Sequence, residues 1–129
     1  MKALSIRQPW IGAILSGAKT VEVRARPTRH RGDLYLHASR TYGPAERGQL
    51  ERLRELGHDL PEPDRERLGA LVGRARLVDC RLMQPEDWAA ALAEPRPGRL
   101  WAWVLTGARP LRKPVRLKGQ RTLFDVDVP

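Results

Sequence analysis

The sequence has a single cysteine and no long apolar run. Cys80 alone excludes an internal disulfide and a multi-cysteine metal site. No apolar stretch approaches the roughly 20 residues that span a bilayer. The start, MKALSIRQPW, places arginine and proline where a secretory signal would carry its apolar segment. We therefore expect a cytoplasmic protein with no membrane association.

Histidine is also scarce, and the usual cofactor motifs are missing. His30, His37 and His58 show no metal-ligand spacing. Neither GxGxxG nor a Walker phosphate loop is present, which disfavours a doubly wound nucleotide-binding sheet. The sequence predicts no metal site and no cofactor, and it gives no indication of protein partners.

Lysine is also rare in this sequence, and one of its positions indicates a functional site. Of the 24 basic residues, only Lys2, Lys19, Lys113 and Lys118 are lysines. Lys19 lies in the segment GAKTVEVR. A lysine ammonium can lose its proton when desolvated and act as a base, or it can bind an anion as a point charge; an arginine can only do the second. The choice of lysine at this position therefore indicates a specific role.

The positive charge is large and unevenly distributed. The formal net charge is +9 and the sequence pI is about 10.9. Residues 1–45 carry +6, residues 46–69 carry −2 and residues 70–129 carry +5. Clustered basic residues bind phosphates by releasing counterions. We expect a polyanionic partner at the two basic portions and not at the middle segment.

Length and periodicity predict one small domain, residues 1–129, with many short strands and few helices. The 129 residues suit one core, and the 41% hydrophobic content allows it to pack. Alternating apolar residues predict strands at 3–6, 20–24, 34–39, 71–82 and 100–105. Short helices are expected near residues 8–17 and 85–88, and an amphipathic helix at 44–57 buries Leu50, Leu53 and Leu56. Pro110 and Pro114 favour an edge strand. The predicted class is α+β, a curved or closed mixed β-structure with short helices at its openings.

Five segments in order resemble one family. SIRQPW, then ILSGAKTVEVR, GDLYLHAS, GRARLVDC and finally WAWVL with KPVRLKG are similar to the ASCH domain family, named for homology to the activating signal cointegrator. The resemblance spans nearly the whole chain. It implies a small mixed β-barrel like that of the PUA domain, a fold associated with RNA, with a cleft near the G-x-K-x-x-E-x-R segment. Family members include proteins similar to ribonucleases and a bacterial branch that deacetylates N4-acetylcytidine.

The residues and the resemblance together predict a cleft for RNA or a nucleotide-like ligand. The start of the first helix offers free N–H groups to an anion. Trp10 would stack on a base or anchor the core, and His37 would line the cleft or serve a structural hydrogen bond. A second basic stretch holds Lys113, Arg116, Lys118 and Arg121. The candidate ligand-binding residues are Arg7, Gln8, Trp10, Lys19, Thr20, Glu22, Arg24, Arg26, His37, Ser39 and Lys118.

Two other functions stay open at this point. A small hydrolase, either an N4-acetylcytidine amidohydrolase or a ribonuclease, would use Lys19 as base and Glu22 to activate water. The amidohydrolase branch, however, has a threonine nucleophile three residues after its lysine, where this chain has Glu22. A strand turns the adjacent side chains of Lys19 and Thr20 to opposite faces, and Thr20 stands two residues before the nucleophile position, so it cannot simply replace that nucleophile. A protein-interaction module is the third reading, and it predicts weak RNA binding with no turnover.

Overall fold

One mixed six-stranded sheet runs through the computed structural model, which describes residues 1–128. The strands are β1 (Lys2–Ile6), β2 (Val21–Arg24), β3 (Gly32–Ala38), β4 (Ala70–Leu82), β5 (Trp101–Arg116) and β6 (Leu123–Asp125). The helices are α1 (Trp10–Leu15), α2 (Pro44–Glu55) and α3 (Asp87–Ala91), and a 3₁₀ turn occupies Arg65–Arg67.

The strand order is β2-β5-β4-β3-β1-β6. Strands β1 and β3 are parallel, and every other adjacent pair is antiparallel. The parallel pair needs a crossover connection, which α1 and β2 supply. The sheet bends into a half-barrel, in agreement with the predicted small mixed barrel-like α+β fold with short helices.

The main core lies where the alternating residues of β3 face α1. Leu34, Leu36 and Ala38 are fully buried, as the period-2 pattern predicts, and Ile11 and Ile14 of α1 pack against the same cluster. Full burial of each large aliphatic side chain stabilises the fold by roughly 1.5–3 kcal/mol. This core fixes β1 and β3, whose ends carry the residues described below.

The other face of β3 is also covered. Ala3, Leu71 and Phe124 form a second buried cluster, and Tyr35 packs against it. A register shift between Leu36 and His37 alters the strand locally. His37 is buried with only 2% of its surface exposed, although the alternation places it on the polar face, because Phe124, Leu117 and Gly119 lie against its ring.

Helix α2 agrees with the prediction except at its end. Leu50 and Leu53 are buried, but Leu56 is 65% exposed. The helix ends at Glu55, and Gly57 adopts a φ of +97° that turns the chain away. The expectation that Leu56 faces the core was therefore wrong, because the apolar spacing runs one residue past the end of the helix.

Strand β5 is long and only its first part is central. Its residues 101–104 pair with β2, whereas from Thr106 onward β4 is its paired strand within residues 1–128. Pro110 and Pro114 both lie in this second part. The edge-strand prediction for the two prolines is thereby confirmed, since a proline cannot donate a ladder hydrogen bond.

Candidate ligand-binding cleft

A cavity of about 1020 Å³ opens where β1, β2, β3 and the end of β5 meet the segment that follows β5. Among residues 1–128, its lining contains seven basic side chains and no carboxylate. The basic residues are Arg7, Arg24, Arg26, Arg40, Arg116, Lys118 and Arg121. Ser5, His37, Ser39 and Trp103 add polar and aromatic surface. Like charges in a concave site focus a positive potential on it.

Arg24 connects the edge strand β2 to β1 at this cleft. Its Nη2 donates a hydrogen bond to Ser5 O at 2.9 Å and lies 3.1 Å from Glu22 Oε2. Its guanidinium carbon is 5.9 Å from the centre of the Trp103 ring. The Arg24 Nε is buried and has no hydrogen-bond partner within residues 1–128. An unpaired buried donor costs roughly 1–3 kcal/mol, whereas the Arg24 side chain as a whole is 25% exposed and lines the cleft.

Lys19 lies beside this arrangement and is not part of the cleft lining. Its side chain is only 4% exposed, and Nζ donates to Ala91 O at 2.7 Å. Glu22 Oε1 is 3.5 Å from Nζ, and the Trp10 ring centre is 5.4 Å away. Burial lowers the pKa of Lys19 below its ordinary value, and the Glu22 carboxylate partly opposes that change. Glu22 therefore contacts Lys19 with one oxygen and Arg24 with the other.

Ser5 and His37 form a hydrogen-bonded pair in the cleft. Their strands place them at matching positions in the parallel register of β1 and β3. His37 Nε2 is 2.8 Å from Leu117 O, and a carbonyl can only accept, so Nε2 carries the proton. Nδ1 then accepts from the Ser5 hydroxyl at 3.0 Å. Burial lowers the pKa of His37, which keeps the ring neutral.

The segment that follows β5 closes over this pair. A Cβ on Gly119 would lie 2.6 Å from His37 Cε1 and 3.0 Å from Ser5 Oγ. Only glycine allows the backbone to approach so closely. The hydrogen bond between His37 and Leu117 O and the close contact at Gly119 thus position the segment that carries Lys118 and Arg121.

Six of the residues that we predicted lie in the cleft lining: Arg7, Arg24, Arg26, His37, Ser39 and Lys118. The other five lie outside it: Gln8, Trp10, Lys19, Thr20 and Glu22.

Gln8, Trp10 and Thr20 also lie outside the lining, and each of them makes contacts elsewhere in the structure. Gln8 Oε1 accepts from Gly12 N at 2.9 Å, which braces the start of α1. Trp10 packs between two core clusters, and its Nε1 donates to Gln49 Oε1 of α2. Thr20 is exposed and bonds through its backbone to Ala90 O. The structure thus brings Trp10 to the core, the second of the two roles that we considered for it.

Several cleft residues, among them Ser5 and Arg40, are not among the predicted ligand contacts. Ser5 is a polar residue of β1, and the alternation of that strand indicates only which apolar residues are buried. Arg40 lies in the loop after β3. Trp103 is 3% exposed and its Nε1 donates to Arg26 O at 3.0 Å. The parallel pairing of β1 with β3 brings Ser5 to His37, and no local pattern reports such a contact between distant segments.

Among residues 1–128, no group of three or more histidine, cysteine, aspartate or glutamate side chains is arranged to hold a metal ion. No helix in that range is both long enough and apolar enough to cross a membrane.

Curated relatives match part of this chain. Activating signal cointegrator 1 from Homo sapiens and the protein of the same name from Mus musculus are each 36% identical to it over 80 residues. The matched region covers 60% of this chain and 14% of each relative. The chain therefore corresponds to a small part of these longer proteins.

Solved structures share the fold over nearly the full chain. The crystal structure of ASCH from Zymomonas mobilis superimposes with a TM-score of 0.64 at 17% identity and covers 98% of this chain and 87% of its own. A mutant form of that protein gives a TM-score of 0.62, again at 17% identity, with 98% and 89% covered. The sequence profile of the ASCH domain matches residues 4–115. This chain belongs to the ASCH domain family.

Proposed function

We propose that the cleft binds RNA or a nucleotide-like ligand through its phosphate groups. The observation that carries the proposal is a lining of seven basic side chains without a carboxylate around a cavity of about 1020 Å³. That volume is at the upper end of small-ligand sites. The family membership and the name of the longer relatives are compatible with a role in RNA metabolism or in the regulation of translation or transcription.

Arg24 is the anchor of this site. Its side chain is 25% exposed and lines the cleft. A phosphate oxygen that contacts the exposed part of the guanidinium would form a charge-assisted hydrogen bond, which is stronger than a bond between neutral groups. Lys118 and Arg121, on the segment after β5, and Arg7 and Arg26, beside β1 and β2, supply further positive charge around it.

Charge, rather than stacking, supplies the affinity in this proposal. Trp103 lines the cleft, but it is only 3% exposed and lies beneath Arg24, so a base cannot stack on it directly. Trp10 lies outside the lining. Phosphate contacts position a strand without reading its sequence, so we expect little preference among bases.

Lys19 and Glu22 hold Arg24 in place in this proposal. The Lys19 ammonium is engaged by Ala91 O and by Glu22, and its surface is nearly all buried. A general base must come within hydrogen-bond reach of its substrate, which these contacts do not favour. The geometry therefore supports binding over hydrolysis by Lys19 and Glu22.

Product analysis separates the two functions. RNA and free N4-acetylcytidine are incubated with the wild-type protein and with Lys19→Ala, and the products are identified by mass spectrometry. We expect intact substrates in both reactions. Cleaved RNA or deacetylated cytidine formed by the wild type would overturn the assignment, and its absence with a Lys19→Ala protein that urea unfolding shows to be folded would make Lys19 part of an active site.

Binding is tested by fluorescence anisotropy with a labelled oligouridylate of ~4 nucleotides, a length at the lower end of known single-strand sites. Affinity should fall with salt, with a log–log slope of about 0.7 for each phosphate contact. Arg24→Gln should weaken binding roughly tenfold, the loss of a charge-assisted bond. Arg47→Gln, on α2 and outside the lining, is the matched control and should bind as the wild type does.

Two results would contradict the proposal. An affinity that does not change with salt would exclude phosphate contacts and favour a protein-interaction module. Equal affinities of the wild type and Arg24→Gln would remove Arg24 from the site.

A further inference from the structure

The second part of β5 carries positive charge beyond the cleft. Its sequence from residue 105 onward, LTGARPLRKPVR, contains Arg109, Arg112, Lys113 and Arg116 and no carboxylate. Arg116 lines the cleft, whereas the other three do not. All three are exposed. The charge therefore continues from the cleft onto the outer edge of the sheet.

A bulge presents two of these side chains. Leu71 of β4 pairs with Val115, and Gly73 pairs with Pro110, so β4 advances two residues while β5 advances five. Arg112 and Lys113 lie within the extra length of β5, opposite Val72. Bulges direct side chains away from the regular ladder and concentrate near functional sites.

The neighbouring strand adds charge of the same sign. Arg74 of β4 lies directly opposite Arg109, and Arg76 lies two residues further along β4. Like charges at directly opposite positions destabilise a sheet. Arg74 is only weakly compensated, by Asp33 at 3.9 Å and by the Tyr35 ring at 5.3 Å. We call Arg74, Arg76, Arg109, Arg112 and Lys113 the basic edge.

Protection of a free sheet edge does not explain the whole set. Charges and prolines on an edge strand do prevent pairing with another chain, and β5 has both. That role does not explain the charges on β4, because Arg74 and Arg76 lie one strand further into the sheet. An anionic partner accounts for both strands, because its attraction to Arg74 and Arg109 would offset the repulsion between them.

The basic edge lies within reach of the cleft. Arg112 is four residues from the cleft residue Arg116 and therefore at most about 14 Å from it along the backbone. A cavity of about 1020 Å³ is of small-ligand size, so a strand of several nucleotides must extend beyond it. Resting on the function proposed above, we infer that the ligand is an extended single strand of nucleic acid that leaves the cleft and runs along the basic edge.

The test compares a short and a long oligouridylate, of ~4 and ~12 nucleotides, within the range of single-strand site sizes. The variant is Arg112→Gln/Lys113→Gln. Its matched control, Arg47→Gln/Arg52→Gln on α2, loses the same charge at exposed positions outside the lining. Anisotropy is measured over a salt series, and urea unfolding verifies that each protein is folded.

We expect the Arg112→Gln/Lys113→Gln variant to bind the short probe as the wild type does and the long probe roughly tenfold more weakly. Its salt slope for the long probe should fall by about 1.4, the value for two phosphate contacts on a single strand. All three proteins can bind the long probe at the same number of positions. Differences in affinity among them therefore report the substituted side chains.

The outcomes separate this inference from the proposed function. If the wild type and the variant bind the long probe equally, the basic edge is not used, although short-probe binding would leave the cleft function intact. If the control loses as much affinity as the variant, the effect is general charge attraction and the inference fails. If neither probe binds the wild type, the inference and the proposed function fail together.

Discussion

Lys19 Nζ lies 3.5 Å from Glu22 Oε1, and the two side chains are only 4% and 12% exposed. The same carboxylate holds Arg24 with its other oxygen, at 3.1 Å. One carboxylate thus connects a buried ammonium, which is itself bound to Ala91 O of α3, to an arginine in the cleft lining. The compact lysine ammonium fits this enclosed position.

Replacing Lys19 should destabilise the protein. Lys19→Met leaves Ala91 O without its donor and Glu22 with one cation in place of two. A buried polar group without a partner costs about 1–3 kcal/mol, so the free energy of unfolding in urea should fall by about 2 kcal/mol. Lys2→Met, whose exposed ion pair with Asp125 has little value, is the control and should cost less than about 1 kcal/mol. Equal losses would show that Lys19 has no special structural role.

Glu22→Gln tests positioning against charge. Removing a carboxylate makes the region more positive, which alone would strengthen the binding of an anion. If Glu22 orients Arg24, the variant should instead bind a short oligouridylate several-fold more weakly. Glu62→Gln, an exposed change of the same charge, is the comparison. Tighter binding by Glu22→Gln than by Glu62→Gln would contradict the positioning role.

Gly119→Ala should loosen the segment that closes the cleft. The new methyl group would overlap the His37 ring and approach the Ser5 hydroxyl, so the backbone or the ring must move. Overpacking of this kind costs roughly 1–3 kcal/mol, and the affinity for oligouridylate should fall with it. Gly48→Ala, in the interior of α2 with open space around it, should raise the free energy of unfolding by about 0.5–1 kcal/mol. The same sign for both variants would exclude the close-contact explanation.

His37 should make stability depend on pH in the acidic range. Its pKa is lowered in the folded protein by burial, whereas the unfolded chain has the ordinary value of 6.5. Below pH 6.5 the unfolded state binds a proton that the folded state does not, so stability is lost as the pH falls toward the lowered pKa. The slope from this residue can reach about 1.4 kcal/mol per pH unit.

Urea unfolding between pH 7.5 and about 5, the range in which histidine changes its charge, measures this loss. His37→Gln should show a shallower pH dependence than the wild type. His58→Gln, in which His37 is intact, should keep the wild-type slope. If the His37 and His58 variants behave alike, burial of His37 is not the cause.

Local patterns predicted most of the fold because the sheet is built from alternating residues. Leu34, Leu36 and Ala38 are buried as expected, and Pro110 and Pro114 lie on the edge part of β5. Leu56 was predicted wrongly because periodicity does not report where a helix ends. The structure shows the end through the positive φ of Gly57, which turns the chain away from the helix.

The cleft was predicted less completely than the fold. Charge and motif position indicated Arg24, Arg26 and Lys118, and all three line one cavity. Lys19 and Glu22 lie in the same motif, yet they face α3 and the back of Arg24. Sequence spacing tells which residues are near one another in the chain, but the depth of each side chain depends on packing against α1 and α3.

The central claim is that the cleft itself holds the ligand, and NMR chemical-shift mapping tests it most directly. A short oligouridylate is titrated into ¹⁵N-labelled protein, and the amide shifts are followed by residue. We predict that the largest changes occur at Ala25, Gly69 and the segment from Leu117 to Thr122, all of which line the cleft. Changes concentrated on α2, with the cleft amides unmoved, would contradict the account.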